Sequence, residues 1–290
     1  MIKKITELTE GQPLNEDVIP FVDNINGETK KALFGSLSNI IVPNNAGGHN
    51  SIYRGKNITE YFYGRETYRG KTFSQAVADG TFDNIFVGDY IIGKTSNKKY
   101  LVADLDYRLY CGDTECNTHH VLIIPERIMG TAKMNDTNVT TGAYVGSKMY
   151  TEYLAPFKAV IQNDFENNHI LNHKNYFANA VTNGYESAGA WVESKIELMN
   201  ECMVYGSNIF HNISNGTNIP TNHTIDKSQL SIFQHRKDLI IARNDAGERY
   251  WYWLRDVVSS SHFANVFHYG YAHYYGASFS YGVRPAFLIY

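Results

Sequence analysis

Two stretches of the chain carry side chains with chemistry to offer. The first is CGDTECNTHH, in which Cys111, Cys116, His119 and His120 stand at Cys-x4-Cys-x2-His-His spacing. Thiolates and imidazoles are zinc ligands, so these four form a candidate metal cluster. Adjacent histidines, however, point to opposite faces of an extended chain. The chain has three cysteines, and an odd count does not build a disulfide framework. A loop stitched by hydrogen bonds is therefore the preferred expectation, with no cofactor.

The second stretch is FANVFHYGYAHYYGASFSYGVRPAF. No charged residue stands between Asp256 and Arg284, and eight of the 20 residues from His262 to Tyr281 are Phe or Tyr. That is 40% against 14% for the whole chain. Three of the 11 histidines, His262, His268 and His273, are there too. Tyr-Gly recurs at 269–270, 275–276 and 281–282, and glycine at that spacing predicts loops in place of a regular buried hairpin. Five buried tyrosine hydroxyls in so short a run would be hard to satisfy together. Tyrosine, serine, histidine and glycine on loops make rigid, amphipathic contact at small entropic cost, as in antibody combining sites. The run is expected to be an exposed binding surface.

Residues 257–283 also lack Lys, Glu, Gln, Met and Trp, where about four would be expected from the chain's average usage. Those five are the amino acids that a codon ending in cytosine cannot encode. A segment whose AAC codons had been randomised at their adenines would look like this.

The chain's 290 residues at 43% hydrophobic content are enough for one large folded domain with a small appendage. A net charge of −3 gives no electrostatic attraction to nucleic acid, and no apolar run is long enough to span a membrane. The start, MIKKITELTEGQPLNED, does not read as a secretory signal, so synthesis in a cytoplasm is expected. The segment DVIPFVDNINGETKKALFGSL, residues 17–37, carries two apolar runs around a turn at Asn24–Gly27, a hairpin signature within an N-terminal module of residues 1–45. A Gly/Asn-rich linker or loop is expected over 46–64, and a larger domain over 65–290. Strand-like runs IFVGDYIIG, KKYLVADLDYRLY and HVLIIP come first. Helices are predicted at MYTEYLAPFKAVIQNDF, interrupted at Pro156, and at ESAGAWVESKIELMNECMVYG, where Trp191, Ile196, Met199 and Met203 recur and Gly206 follows as a stop. Strands return at LSIFQHRKDLIIAR, RYWYWLRDVV and RPAFLIY. Strands, helices, then strands predict a mixed α+β fold. Nucleotide-binding and hydrolase fingerprints are missing from the sequence.

The block YWYWLRDVVSSSHFANVFHYGYAHYYGASFSYGVRPAF resembles the variable repeat of proteins diversified by retroelements, in which an adenine-directed reverse transcriptase rewrites asparagine codons near the C-terminus. The fixed frame would be Trp253-Leu254-Arg255, Phe263-Ala264-Asn265-Val266 and Gly282-Val283-Arg284-Pro285-Ala286-Phe287. The resemblance covers about residues 65–290, with the strong motifs in the last 40, and it implies a C-type-lectin-like fold displaying the variable residues on an outer face. It further implies ligand-binding roles for His262, Phe267, His268, Tyr269, Tyr271, His273, Tyr275, Phe279 and Tyr281; Ser261 and Tyr274 stay open, and Phe263 and Val266 would be packing anchors. Formylglycine-generating proteins share the general fold, but their catalytic cysteine pair lies near the C-terminus, and here Cys202 is the last cysteine. Asp17, Ile19, Pro20, Val22 and Thr29 to Lys31 resemble a short module of phage tail-fibre proteins. Together the two resemblances imply a phage tail adhesin carried on the virion. It would be a homotrimer attached to other tail proteins through the N-terminal module, binding a protein or glycan receptor on the bacterial surface without catalysis. The alternatives are a calcium-dependent lectin, a tail-associated polysaccharide hydrolase and a cellular diversified surface protein. The first needs clustered carboxylates at the ligand surface and the second a carboxylate pair in a cleft. The acids of this chain are scattered and absent from the aromatic run.

Overall fold

The stretch VLIIP is almost wholly aliphatic, and PAFLI near the chain's end repeats that character. Unbroken apolar runs of this length form strands covered on both faces. Val121–Pro125 and Pro285–Ile289 are such strands, buried throughout and paired side by side within one sheet.

The structure, a computed structural model, describes residues 18–22, 29–33, 50, 52–112, 114–178, 181–182, 185–186, 189–210 and 228–290. It divides the chain into a small unit, Met1–His49, and a large one, Asn50–Tyr290. In the small unit β1 (Val18–Val22) and β2 (Thr29–Leu33) pair antiparallel, with Val18 opposite Leu33. The turn expected at Asn24–Gly27 and the motif residue Asp17 lie outside the described residues.

The large unit is a mixed α+β fold. In chain order it contains α1 (Thr59–Phe62), α2 (Phe73–Ala78), β3 (Tyr90–Ile92), β4 (Lys99–Leu105), β5 (Val121–Pro125), β6 (Thr131–Lys133), α3 (Ala155–Phe165), β7 (His173–Ala178), β8 (Val181–Thr182), β9 (Tyr185–Glu186), β10 (Gly189–Ser194) and β11 (Ile196–Leu198). Then come α4 (Glu201–Tyr205), α5 (Ser231–His235), β12 (Ala242–Arg243), β13 (Arg249–Tyr250), β14 (Tyr252–Val257), β15 (His262–Val266), β16 (Ala272–Gly276), β17 (Ser280–Gly282) and β18 (Pro285–Ile289). Two five-stranded sheets dominate, with orders β11-β18-β5-β4-β3 and β16-β15-β14-β17-β6. The first is antiparallel throughout; in the second, β14 and β17 run parallel. Leu101, Leu122, Ile124 and Leu288 of the first sheet share a core with Tyr252, Leu254, Ala264 and Val266 of the second. The opposite side of the second sheet packs Trp253, Val257 and Phe263 against Met134, Tyr144, Met149 and Leu154.

Several expectations need correction. Of the stretch expected as linker or loop, residues 53–58 are loop and 59–62 form α1, and both belong to the packed unit: Ile58 and Tyr61 are buried, and Arg54 grips the buried Asp89. The helix expected over 186–206 is mostly strand, with β10 paired to β7 and β11 to β18. Its residues have too few local partners to outweigh those ladders, and helix forms only after Asn200, whose side chain accepts the Met203 N–H at 2.8 Å. Gly206 stops it in the left-handed region at φ +85°. LSIFQHRKDLIIAR, expected as strand, folds as α5, a 3-10 turn and the two-residue β12. The helix around Pro156 does form, as a π-helical turn at Met149–Tyr153 followed by α3. Pro156 sits in the first turn of α3, where its missing N–H is no loss.

Asp164, buried near the end of α3, fastens that helix to the β3–β4 turn. Its carboxylate accepts bonds from the backbone and hydroxyl of Thr95 (2.9 and 2.7 Å), from Ser96, and from the Tyr100 hydroxyl (2.7 Å). Burial opposes its ionisation, but these hydrogen bonds outweigh it and hold the carboxyl below its ordinary pKa. Asp164→Ala strands those donors, and is expected to cost about 2 kcal/mol, read as a lower urea midpoint at unchanged slope.

Candidate ligand-binding face

Strand β14 and the residues before it alternate. Tyr250, Tyr252 and Leu254 face the inter-sheet core, while Trp253 packs on the other side of the sheet. Trp251, next in register with Trp253, stands at the centre of a cluster of rings. It stacks on Tyr281 (4.9 Å, 18°) and His268 (5.6 Å, 19°) and meets Phe267 (4.2 Å), His273 (5.7 Å) and Tyr275 (5.6 Å). The Trp253 indole anchors the platform from beneath, fully buried, donating from Nε1 to the Ala132 carbonyl at 3.0 Å.

The aromatic run itself is built of β15, β16 and β17 with a tight turn between the first two, not irregular loops. β15 and β16 pair antiparallel from His262 opposite Gly276 to Val266 opposite Ala272. Between them Phe267 accepts a bond from the Gly270 N–H (2.7 Å), with Gly270 at φ +92°. That is a conformation glycine takes without steric cost. The glycines at 276 and 282 end strands, so the Tyr-Gly period marks strand ends rather than their absence.

None of the nine expected contact residues is buried. Tyr269 (60% exposed), Tyr271 (50%) and Phe279 (47%) stand out into solvent; the other six are half-buried. Eight join the Trp251 platform through ring contacts: Phe267 stacks on Tyr271 (4.4 Å), His268 meets Tyr269 (4.1 Å), and Phe279 meets Tyr275 (4.7 Å). The Tyr281 phenol is pushed well up by burial and by Tyr275 beside it. His262 stands apart. Its Nδ1 engages the hydroxyls of Ser259 (3.0 Å) and Ser261 (2.8 Å), and its ring meets Tyr274 (5.5 Å), which in turn packs on Phe210 (5.1 Å). Ser261 is thus tied to His262, and Tyr274 is exposed beside it. Phe263 and Val266 are fully buried beneath. Arg249 places its guanidinium over the Tyr269 ring at 5.7 Å, a cation at the rim.

The two charges bracketing the run are structural. Asp256 accepts the Glu201 N–H at 2.7 Å, and buried Arg284 donates to the carbonyls of Pro125 and Leu239, both at 2.9 Å. Trp251 and Arg249 were missed by the sequence reasoning because they precede the charge-free run. The alternation in RYWYWLR is the signal that places Trp251 and Trp253 on one face.

Cys111, Cys116, His119 and His120 do not make a zinc site. Both ring nitrogens of His120 are spent on backbone: Nε2 accepts the Arg108 N–H (3.0 Å) and Nδ1 donates to the Thr118 carbonyl (2.8 Å). Burial, then Arg108, pushes this imidazole down to about 4. His119 turns to Asp106 (2.7 Å), and the thiols sit near the carbonyls of Leu109 and Thr118. Among the described residues no three His, Cys, Asp or Glu side chains gather in a way that could hold a metal ion. Among them, too, no helix is long and apolar enough to cross a membrane.

Neither a curated protein nor a solved structure matches the chain. A family model does, over residues 119–290: it is described as Domain of unknown function (DUF6273). That span runs from β5 through the whole aromatic face to the last residue, more than half the chain, and the chain belongs to the DUF6273 family.

Proposed function

We propose that this protein is a phage tail adhesin whose aromatic face grips a ligand on the bacterial surface. The large unit would be a C-type-lectin-like domain, a reading that its two sheets and the exposed rings on edge strand β16 and the turn before it favour. The observation that carries the proposal is the gathering of Tyr269, Tyr271 and Phe279, each about half exposed, beside the Trp251 platform. Large exposed rings cost free energy in water, and a contiguous patch of them marks an interaction site. Aromatic anchors of this kind dominate binding energy where interfaces have been dissected. Recognition is the function that a contiguous patch of exposed rings fits.

In this reading the small unit attaches the protein to the tail, and the protein is a homotrimer on the virion. Several copies raise the effective affinity of a modest patch without any new contact. The test is binding of fluorescently labelled full-length protein to a panel of bacterial cells. The triple variant Tyr269→Ser, Tyr271→Ser, Phe279→Ser changes only solvent-facing rings and is expected to fold normally while losing at least about tenfold in cell binding. Equal binding by the variant would count against the proposal. Adjacent DNA holding a near-copy of codons 257–283, with AAC at the His, Phe and Tyr positions, would support diversification.

A further inference from the structure

We infer that the face takes its ligand by strand addition, an extended segment of a protein on the bacterial surface pairing along the open edge of β16; this rests on the ligand-binding reading of the same face. The two five-stranded sheets have four edges, and three are closed or guarded. At β3 the Tyr90 N–H donates to the Lys56 carbonyl and the Tyr90 carbonyl accepts from the Ile58 N–H, both at 2.9 Å. At β11 the strand is buried throughout, and the Leu198 N–H donates to the Tyr144 hydroxyl at 3.2 Å. At β6 exposed Lys133 puts a charge on the edge, a common guard against pairing with another chain. The fourth edge, β16, reads AHYYG, with neither a charge nor a proline to block it.

The hydrogen-bond register decides which groups of β16 face outward. Phe267 donates to the Tyr271 carbonyl at 2.9 Å and Ala277 to the Ser261 carbonyl at 3.0 Å, so the bonded pairs of this ladder are the odd-numbered ones. Ala272 and Tyr274 therefore turn their N–H and C=O groups away from β15, and among the described residues nothing bonds to those four groups. Tyr274 is exposed and Ala272 half-buried, so the edge meets solvent. It ends at Gly276, whose carbonyl accepts from the Phe279 N–H at 3.1 Å and where an added Cβ would lie 2.5 Å from Oδ1 of Asn138. Two donors and two acceptors on alternate residues match one extended peptide, which carries the same groups at the same repeat. A strand laid there sets its own alternate side chains directly beside Tyr271, His273 and Tyr275, whose rings belong to the aromatic cluster. One occupant thus satisfies the backbone and covers the rings together. With no charge from Val257 to Val283, the side chains that meet those rings are apolar or aromatic. Arg249 holds its cation over Tyr269, in the turn that leads into β16, so an acidic residue suits the end of the segment beside that turn.

Ala272→Pro removes one outward N–H and keeps every ring of the face, and proline is tolerated on an edge strand where its missing N–H faces solvent. Ala272→Ser keeps the N–H. In titrations of labelled full-length protein onto the panel of cells, Ala272→Pro is expected to bind at least about tenfold more weakly, because a partner carbonyl is left unpaired, and Ala272→Ser to bind as the parent does. Treating the cells with proteinase K is expected to abolish binding, and periodate oxidation of their glycans to leave it unchanged. The parent alone supplies a second readout: hydrogen exchange at the Ala272 and Tyr274 amides is expected to slow several-fold when the protein is bound to cell-envelope fragments. Parent-level binding by Ala272→Pro, unaltered exchange at both amides, or binding that survives proteinase K would each overturn strand addition. So would a smaller oligomer for Ala272→Pro in sedimentation, which would give the edge to a second copy of this chain. If the triple ring variant loses cell binding while Ala272→Pro keeps it, the rings bind without an added strand and only this inference is wrong. If both bind as the parent does, the adhesin reading fails with it.

Discussion

Trp251→Ala is expected to weaken cell binding by roughly 30- to 1,000-fold, which corresponds to about 2–4 kcal/mol, the range of a central aromatic anchor. The reason is geometric. Trp251 touches five other rings of the face, so its removal takes away both a contact surface and the support on which His268 and Tyr281 stack. Its indole is half-buried rather than part of the inner core, and Trp253 beneath keeps its own bond to Ala132. The fold should therefore survive, with far-ultraviolet circular dichroism unchanged. Trp251→Phe keeps a ring in place and should recover much of the loss. Titration of labelled protein onto cells reads the effect, and an unchanged midpoint for the alanine variant would remove Trp251 from the interface.

The second large effect is on stability against pH. His120 titrates near 6.5 when unfolded, but burial and the Arg108 charge push it down to about 4 in the fold. Between these values the unfolded chain holds a proton that the folded one lacks. Its contribution is thus complete above pH 6.5 and is lost as pH falls toward 4. His173, pushed well below its ordinary range by burial and Arg108, acts in the same direction. Asp104 acts oppositely. Burial raises its carboxyl to about 6, so the fold takes up a proton first and gains stability as pH falls from 6 toward 4. The single variants separate the two. The penalty of His120→Gln should shrink by about 3 kcal/mol between pH 7 and pH 4, because the variant no longer carries the acid-sensitive group. Asp104→Asn should change its penalty by about 2 kcal/mol, with the opposite sign. Urea midpoints at the two pH values measure both. Parallel stability curves for parent and His120→Gln would show that His120 is not held neutral.

The sequence made some of this legible and hid the rest for identifiable reasons. VLIIP and PAFLI are central strands because nothing but burial on both faces suits them, and that character is local. The exposed aromatic run was legible because its composition is so unlike a core. The strands from Gly189 to Leu198 were not legible. Their partners, β7 and β18, lie about 15 and 90 residues away, and Trp191, Ile196, Met199 and Met203 imitate a helical stripe. Short helices escaped as well, although Thr72 and Gln75 form a capping box that a search for Thr-x-x-Gln would have found. The zinc spacing left a metal site open as the lesser reading because spacing does not reveal which backbone groups occupy the imidazole of His120. Asn265 reads in the sequence as one polar residue in a frame; only the structure shows it fully buried between Trp253 and His273 in the sheet.

The central claim is that the Trp251 platform and the rings around it are what another molecule covers. Hydroxyl-radical footprinting of the protein, free and bound to its target cells, tests it most directly. The account predicts that oxidation of Trp251, Tyr269, Tyr271 and Phe279 falls several-fold on binding, while exposed Tyr110, outside the face, is oxidised as before. Undiminished oxidation of those four rings in the bound state, with protection elsewhere on the protein, would contradict it.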